Sequence, residues 1–414
     1  MKEKKSLQDR LKALDKLAEN INKANDYPIV GRLSTTPELK ENLKVEYVPT
    51  QSFNLNEIMG GGIPKAKITI VCGKEDSGKT YLLLETIAKA QKEDPNFIAA
   101  WLEAEGSISI DDIRMLGIDE SRFFYQPFDS KNGGEAAIDI IEATLKAGVD
   151  FYAVNSLKCL VPSEELNSSM TKQSIGLQAR MNAKMMRKLK PLIVENKTAF
   201  AIVQHLSTAI GVLYGDPLVL SGGQEIRYAA DLIVDLRKKS IAADDPIKKE
   251  EGIKIGASIT KNHVKTGRFP YLKTTYYGLF GQGTESYLEI IDLALKKGVI
   301  NKSGAFYKII DDSGEPVILE DGTKLQWQGT ARLRNYLIEN PEFYSKLVTQ
   351  LGGNTDIESM SEKEIEIAKE QEEKEKETHV KSLTSNKKSS KKKKKEEEEN
   401  KIVQEEENKQ KTKM

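Results

Sequence analysis

The run Gly73, Lys74, Glu75, Asp76, Ser77, Gly78, Lys79 and Thr80 constrains this chain more than any other feature, because it matches the phosphate-loop pattern GxxxxGK[ST] without a gap. The apolar stretch Lys67 to Cys72 before it reads as a strand, and Thr80 to Lys92 after it reads as a helix. That context aims backbone N–H groups and a helix N-terminus at the loop, where they can hold phosphate. Lys79 is expected to stand exposed in the empty loop and to reach the outer phosphates of a bound nucleotide, with the Thr80 hydroxyl on Mg²⁺.

A strand–loop–helix of this kind belongs in an α/β fold, and the surrounding pattern agrees. Apolar runs at Phe97 to Glu103, Arg122 to Gln126, Phe151 to Asn155 and Thr198 to Gln204 alternate with helical stretches at Gly134 to Ala147 and Ile175 to Asn196. This predicts a mostly parallel sheet covered on both faces. Leu232 to Leu236, Ile253 to Thr260 and Tyr271 to Tyr277 are expected to extend it in antiparallel fashion. Val161 to Ser174 and His205 to Gly223 have loop composition and are long enough to suggest function.

The ends differ in character from this core. Leu7, Leu11, Leu14, Leu17 and Ile21 recur at helical spacing behind Ser6, a natural N-cap, so an amphipathic helix opens the chain and its stripe needs a partner. Tyr27 to Val30, in the connection that follows, would pack on the chain's own core or on a neighbour. A helix at Tyr287 to Lys297, a hairpin-like stretch through Gly304 to Lys324 and a helix at Thr330 to Glu339 form a small α+β unit. From about residue 354 the chain is nearly all Lys, Glu, Gln, Ser and Asn, a composition that cannot offset its ordering entropy by burial.

Lysine plus arginine and aspartate plus glutamate both number 63, so any nucleic-acid contact must come from local basic positions. The two cysteines, Cys72 and Cys159, form no CxxC pair and no disulfide framework, which suits a reducing cytoplasm. No apolar run approaches the roughly 18 residues of a membrane span, so no membrane partner is expected.

Hydrolysis of a bound nucleotide needs a carboxylate to orient water and normally an acid at a neighbouring strand end to hold the metal's water shell. Glu103 and Glu105 share a face by strand alternation, and spacing alone does not choose between them. At the metal-side position the strand from Phe151 ends in Asn155 and Ser156 instead of aspartate. Asn155 can bond a metal-bound water but adds no charge, and Asp150 lies at the wrong end of the strand.

Several separated blocks in one order resemble the RecA-type recombinase family, bacterial RecA and its phage relatives such as UvsX, from about residue 45 to 351. They are GKEDSGKT, LEAEGSIS, GLQARMNAKMMRKL, AIVQ, GVLYGDP followed by SGGQ, and GVINKSGAFYKI. The resemblance implies a RecA-like P-loop ATPase core over residues 45–283 with two DNA-binding loops. It further implies a polymerisation arm at 1–44 and a small C-terminal domain at 284–352; the disordered charged tail at 353–414 is read from its composition and departs from the family's short acidic one. The implied activity is DNA-dependent ATP hydrolysis in recombination and repair of damaged DNA, with ATP and Mg²⁺ as cofactors. Single-stranded DNA, homologous duplex DNA, copies of the chain in a helical filament, and single-strand-binding and mediator proteins are the implied partners.

Residue by residue, Glu105 matches the family's catalytic glutamate and Gln204 its sensor of the third phosphate. Arg180 and Arg187, seven apart and so on one helix face, match DNA-contacting arginines. Ile210, Tyr214, Gly222 and Gly223 match positions of the second DNA loop. Lys261 matches a lysine that reaches the neighbour's ATP, while His263 stands where the family has a second. Asn155 replaces the family's aspartate, Asp112 stands where a tyrosine usually stacks on adenine, and Leu206 and Ser207 replace basic residues. These departures point toward a phage-encoded relative. They also define a second reading, a weakly hydrolysing, nucleotide-gated DNA-binding filament or accessory protein. A hexameric helicase or RadA-like motor is the third, and it fits poorly: no cysteine precedes Cys72, and the arm is too short for an extra domain.

Overall fold

The computed structural model describes residues 6–25, 27–129, 131–169, 176–208, 218–220, 224–242, 245–264, 272–309, 315–318, 322 and 324–351. Helix α1 (Leu7–Asn22) opens this part, capped as expected by Ser6, whose Oγ accepts from the Asp9 amide. None of its residues is buried, and Leu7, Leu14, Leu17 and Ile21 face outward. The following segment folds back on the helix. Asn22 donates to Val30 O at 2.8 Å and accepts from the Ile29 and Val30 amides, and Arg32 Nε donates to Asp15 at 2.8 Å. A short helix α2 (Pro37–Glu41) completes the arm.

The core begins with β1 (Tyr47–Val48), α3 (Phe53–Met59) and β2 (Ile63–Pro64), then β3 (Lys67–Gly73), α4 (Lys79–Glu93) and β4 (Ala99–Glu103). It continues through α5 (Ile110–Met115), β5 (Phe123–Pro127), α6 (Gly133–Ala147), β6 (Phe151–Asn155), α7 (Ser163–Leu166), α8 (Leu177–Glu195), β7 (Ala199–Thr208), β8 (Leu218–Leu220) and α9 (Gln224–Ala229). Strands β9 (Leu232–Lys239), β10 (Gly252–Asn262), β11 (Lys273–Leu279) and β12 (Gly283–Thr284) close it.

One ten-stranded sheet carries the order β12, β11, β10, β9, β3, β7, β6, β4, β5, with β8 paired to β7. The six strands from β9 to β5 run parallel. Thus β9 departs from the expectation for 232–236, since it pairs with β3 in parallel, and the antiparallel extension starts only at β10. The stretch expected to be loop from His205 also differs: β7 runs on to Thr208 and pairs with Leu218–Leu220 in antiparallel register.

Parallel strands covered on both faces read as continuous apolar runs, and alternation along them divides the core. Val71 of β3 joins the layer with Leu82, Leu83 and Ile87 of α4. Ile68, Ile70 and Cys72 join the opposite layer with Ile138 and Ile141 of α6 and Met185 and Leu189 of α8. The carboxyl ends of β3, β7, β6 and β4 come together at one rim, where ligands of open α/β sheets bind.

The small C-terminal domain comprises α10 (Ser286–Lys296), β13 (Asn301–Ser303), β14 (Phe306–Lys308), β15 (Gln326–Gln328), α11 (Thr330–Glu339) and α12 (Pro341–Gln350), around Ile291, Tyr307, Trp327 and Leu333. Buried Glu289 ties it to the core, its two carboxylate oxygens accepting from Ser52 Oγ at 3.0 Å and the Asn54 amide at 2.9 Å. The charged tail at 353–414 lies outside the described residues.

Candidate functional site

The phosphate loop leaves β3 at Gly73 and enters α4 at Lys79. Gly73 is required by close approach, because a Cβ there would meet Leu236 O at 2.3 Å. Gly78 has a φ of 82°, the left-handed region that glycine occupies without strain. Ser77 Oγ and Lys79 Nζ both donate to the Lys74 carbonyl, at 2.8 and 2.7 Å, so the loop is already curled around that oxygen.

Lys79 is buried, only 6% exposed, which corrects the expectation of an exposed lysine: its ammonium folds back into the loop. Burial pulls its pKa below the ordinary lysine value. Glu105 is the strongest of the charges that oppose this, followed by Cys72, Glu75 and Asp76. A carboxylate and the loop lysine therefore feel each other across the rim. Cys72, at the end of β3, is buried and its thiol is pushed upward, first by burial and then by Asp235.

The two glutamates part company where β4 ends. Glu103 is buried and fully engaged. Its Oε2 accepts from Trp101 Nε1 and Asn155 Nδ2, both at 2.9 Å, and its Oε1 from the amides of Glu105 at 3.0 Å and Ser107 at 3.2 Å. Glu105 lies past the last strand residue, out of the alternation, and its Oε1 meets His205 Nε2 at 2.7 Å. The expectation that either acid could serve the phosphates thus gives way to one structural and one accessible carboxylate.

Asn155 is wholly buried at the end of β6. Its amide nitrogen donates to Glu103 and, at 2.9 Å, to Ser107 Oγ. Its Oδ1 is buried and takes no hydrogen bond among the described residues, an acceptor open to a metal-bound water. Asp150 is confirmed at the far end of the strand, where it accepts from the Ile98 amide. Gln204, also buried, pairs in register with Cys72, which puts it on the strand between the phosphate loop and Asn155. Curled loop, buried ammonium, half-buried Thr80 and open Asn155 oxygen together suit a phosphate chain carrying a divalent cation.

Asp112 is the N3 residue of a capping box on α5: it accepts from the Ser109 amide at 2.8 Å while Ser109 Oγ accepts from its own. It also accepts from Tyr81 Oη at 2.6 Å, and that bond, ahead of burial, pushes the Tyr81 pKa up to about 12. Tyr81 lines a cavity of about 420 Å³ beside the loop with Gly78, Ile255 and Tyr276. Tyr81 lies in a stretch whose pattern signals only a helix, and His205 carries no local signal, although the chain has only three histidines.

Lys261 and His263 are not brought to the loop of their own chain. Lys261 pairs with Ile233, which pairs with Ile70, well below the rim; its Nζ donates to the last carbonyls of α9, Arg227 O at 2.7 Å and Tyr228 O at 3.0 Å. His263 is exposed beyond the end of β10. Arg180 and Arg187 are both exposed on α8; Arg180 borders a groove of about 340 Å³ whose other wall carries Glu135 and Asp139. Ile210, Tyr214, Gly222 and Gly223 lie outside the described residues. No described helix is long and apolar enough to cross a membrane.

The family model for the RecA N-terminal domain matches residues 10–285, and that for the RecA C-terminal domain residues 288–355. Among curated relatives, Protein RecA of Aquifex pyrophilus is 31% identical over 345 residues, 83% of this chain and 91% of the relative. Protein RecA of Thermus aquaticus is 30% identical, covering 82% of this chain and 93% of the relative. Protein RecA of Treponema denticola is 29% identical over 388 residues, 92% of this chain and 89% of the relative.

Proposed function

Because this chain belongs to the RecA family, we propose that its sheet rim holds ATP with Mg²⁺ and that Glu105 is the carboxylate that aligns the attacking water. The family makes it a DNA-dependent ATPase and a recombinase, acting in recombination and repair, that binds nucleotide with a divalent metal and assembles on DNA. Mg²⁺, when bound, supplies charge that neutralises the outer phosphate oxygens as the terminal phosphoryl group departs. Backbone N–H groups of Gly73 to Thr80 wrap the phosphates, and Lys79 exchanges the Lys74 carbonyl for the outer ones. Thr80 Oγ1 would hold the metal, the open Asn155 Oδ1 would accept from a water bound to it, and Gln204 would read the third phosphate.

We assign the assembly roles likewise. Lys261 and His263 serve the neighbour's nucleotide, a reading supported by their distance from their own loop. Arg180 and Arg187 contact phosphates of single-stranded DNA, the backbone of Gly222 and Gly223 approaches the strand, and Ile210 and Tyr214 sit near its bases, with homologous duplex as the second DNA partner. Single-strand-binding and mediator proteins are the further partners. The arm at 1–44, the ATPase core at 45–283, the C-terminal domain at 284–352 and the tail at 353–414 are the working units, and the cytoplasm of a bacterial cell, with the gene carried by host or phage, is the place of action.

The observation that carries this reading is the place of the Glu105 carboxylate at the phosphate-loop rim, 2.7 Å from His205 Nε2, whose backbone pairs in register with Gly73. The test is ATP turnover with and without single-stranded DNA, beside imaging of filaments. Glu105→Gln should assemble with ATP yet lose roughly 10²- to 10⁴-fold in turnover; Lys79→Ala should lose both. DNA-stimulated turnover at the wild-type rate in Glu105→Gln would refute the assignment. Filaments from the wild-type chain without DNA-stimulated turnover would favour the weakly hydrolysing alternative, against which the Glu103 charge, one hydrogen bond behind Asn155, already argues.

A further inference from the structure

We infer that Gln178 is a positioning residue through which DNA held on α8 is felt at Asn155. Its side chain fastens the first turn of that helix to the turn behind the metal-side strand end. β6 ends at Asn155, and the chain passes through Ser156 into a one-turn 3₁₀ helix at Leu157–Cys159. The last carbonyls of a helix lack partners inside it. Here Gln178 Nε2 lies 2.8 Å from Lys158 O, 3.3 Å from Leu160 O and 3.4 Å from Leu157 O, so its two N–H groups cap that turn from a distant segment.

The cap joins two faces of α8. Gln178, Met181 and Met185 recur at helical spacing, and both methionines are buried in the layer that holds Leu157 and Leu160, whereas Arg180 and Arg187 are exposed on another face. A pull on Arg180, two residues from Gln178, therefore moves the first turn of α8 against the turn at 157–160. Close packing passes such a shift on instead of absorbing it. On its far side the turn is anchored to α6, where the Gly134 amide donates to Val161 O at 2.8 Å and Glu135 accepts from the Ser163 amide at 2.8 Å. The shift is thereby directed back along Ser156 to Asn155, whose buried Oδ1 is open.

This inference rests on the roles of Arg180 and Asn155 given above, and the test separates the two. Gln178→Met keeps the length and the apolar stem and removes both N–H donors; Gln178→Glu sets oxygens against the carbonyls. At saturating single-stranded DNA both should lower the DNA-stimulated kcat roughly two- to tenfold, the range for loss of a neutral hydrogen bond, with DNA-free turnover and DNA affinity on a non-hydrolysable analogue unchanged. Gln178→Lys, whose ammonium reaches the same carbonyls, should restore most of the stimulation. With that analogue, adding DNA should alter amide exchange across residues 156–161 of the wild type and not of Gln178→Met. Wild-type stimulation in both variants, a loss shared by DNA-free turnover or DNA affinity, or the same exchange response with and without the Gln178 amide overturns the inference. An unaltered salt slope after Arg180 and Arg187 are replaced, or an unaltered Mg²⁺ midpoint in Asn155→Ala, overturns instead the reading on which it rests.

Discussion

Asn155→Asp looks from the sequence like a repair, since it returns a carboxylate to the metal-side strand end and should tighten Mg²⁺ use by about 1 to 3 kcal/mol, the range for charge-assisted hydrogen bonds. The sequence leaves an opposing possibility open, that Glu103 already supplies the charge and a second carboxylate would only crowd it, and the contact between Glu103 and Asn155 favours that one. Asn155 Nδ2 donates to Glu103 Oε2 at 2.9 Å, so the substitution turns a donor–acceptor pair into two buried carboxylates in contact. Two like charges about 4 Å apart at an effective dielectric of about 20 repel by about 4 kcal/mol, more than the metal contact returns. The pair will relieve this by holding a proton, which removes the charge the substitution was meant to add. Asn155→Asp should therefore lower the urea midpoint by an amount worth roughly 1 to 3 kcal/mol and leave the Mg²⁺ midpoint of ATPase activity unimproved. Combining it with Glu103→Gln reverses the polarity of the pair and keeps a single charge, leaving only Trp101 Nε1 without its acceptor. The double variant should recover most of the stability and lower the Mg²⁺ requirement roughly five- to hundredfold. A single Asn155→Asp variant with wild-type unfolding and a lower Mg²⁺ midpoint would refute the reasoning.

Deleting residues 1–30 should leave a folded monomer, because α1 buries none of its residues; normal filaments in micrographs of the truncated chain would refute this. Replacing both Arg180 and Arg187 by alanine should weaken single-stranded DNA binding alike for all sequences and flatten the log–log salt slope by about 1.4, two phosphate contacts at roughly 0.7 each; an unaltered slope removes them from the DNA surface. Burial pushes the Glu289 pKa from the ordinary 4.5 up to about 8, so the folded state keeps a proton that the unfolded chain releases. Its contribution to stability is present below about pH 4.5 and is lost as pH rises through about 8. Glu289→Gln should flatten that decline, gaining on the wild type by on the order of a few kcal/mol at pH 9, as read from urea midpoints; parallel pH curves would reject it.

Where a segment's local pattern and its tertiary role coincide, the sequence is legible. β6 is found at Phe151–Asn155 and α11 at Thr330–Glu339, as expected, because an apolar parallel strand and an amphipathic helix announce themselves by periodicity. The end of β7 was not legible, since Ser207 and Thr208 are ordered by pairing with Val219 and Leu218, a partner that local composition does not reveal. Strand alternation put Glu103 and Glu105 on one face only on the assumption that the strand continued; it stops at Glu103. The resemblance named Glu105, and the geometry supplies a reason. Tyr81 and His205 were passed over because each becomes noticeable only through a contact from afar, with Asp112 and Glu105, 31 and 100 residues away.

The arrangement around Asn155 also bears on what a missing aspartate means. A carboxylate at the strand end would meet the metal's water shell directly, whereas here the charge resides on Glu103 one strand away and acts through an amide. An amide that donates to a carboxylate on one side is polarised so that its own oxygen becomes a better acceptor on the other. Asn155 Oδ1 is that oxygen, buried and open. The Ser107 hydroxyl, which accepts from the same amide nitrogen, fixes its orientation further. On the proposed reading the neighbours on β4 and in the segment after it would compensate the departure from the family pattern, because Asn155 forms a hydrogen-bonded unit with Glu103 and Ser107. Substituting any one of the three should carry costs that the other two cannot absorb singly, which is why the paired exchange of Glu103 and Asn155 is the informative one.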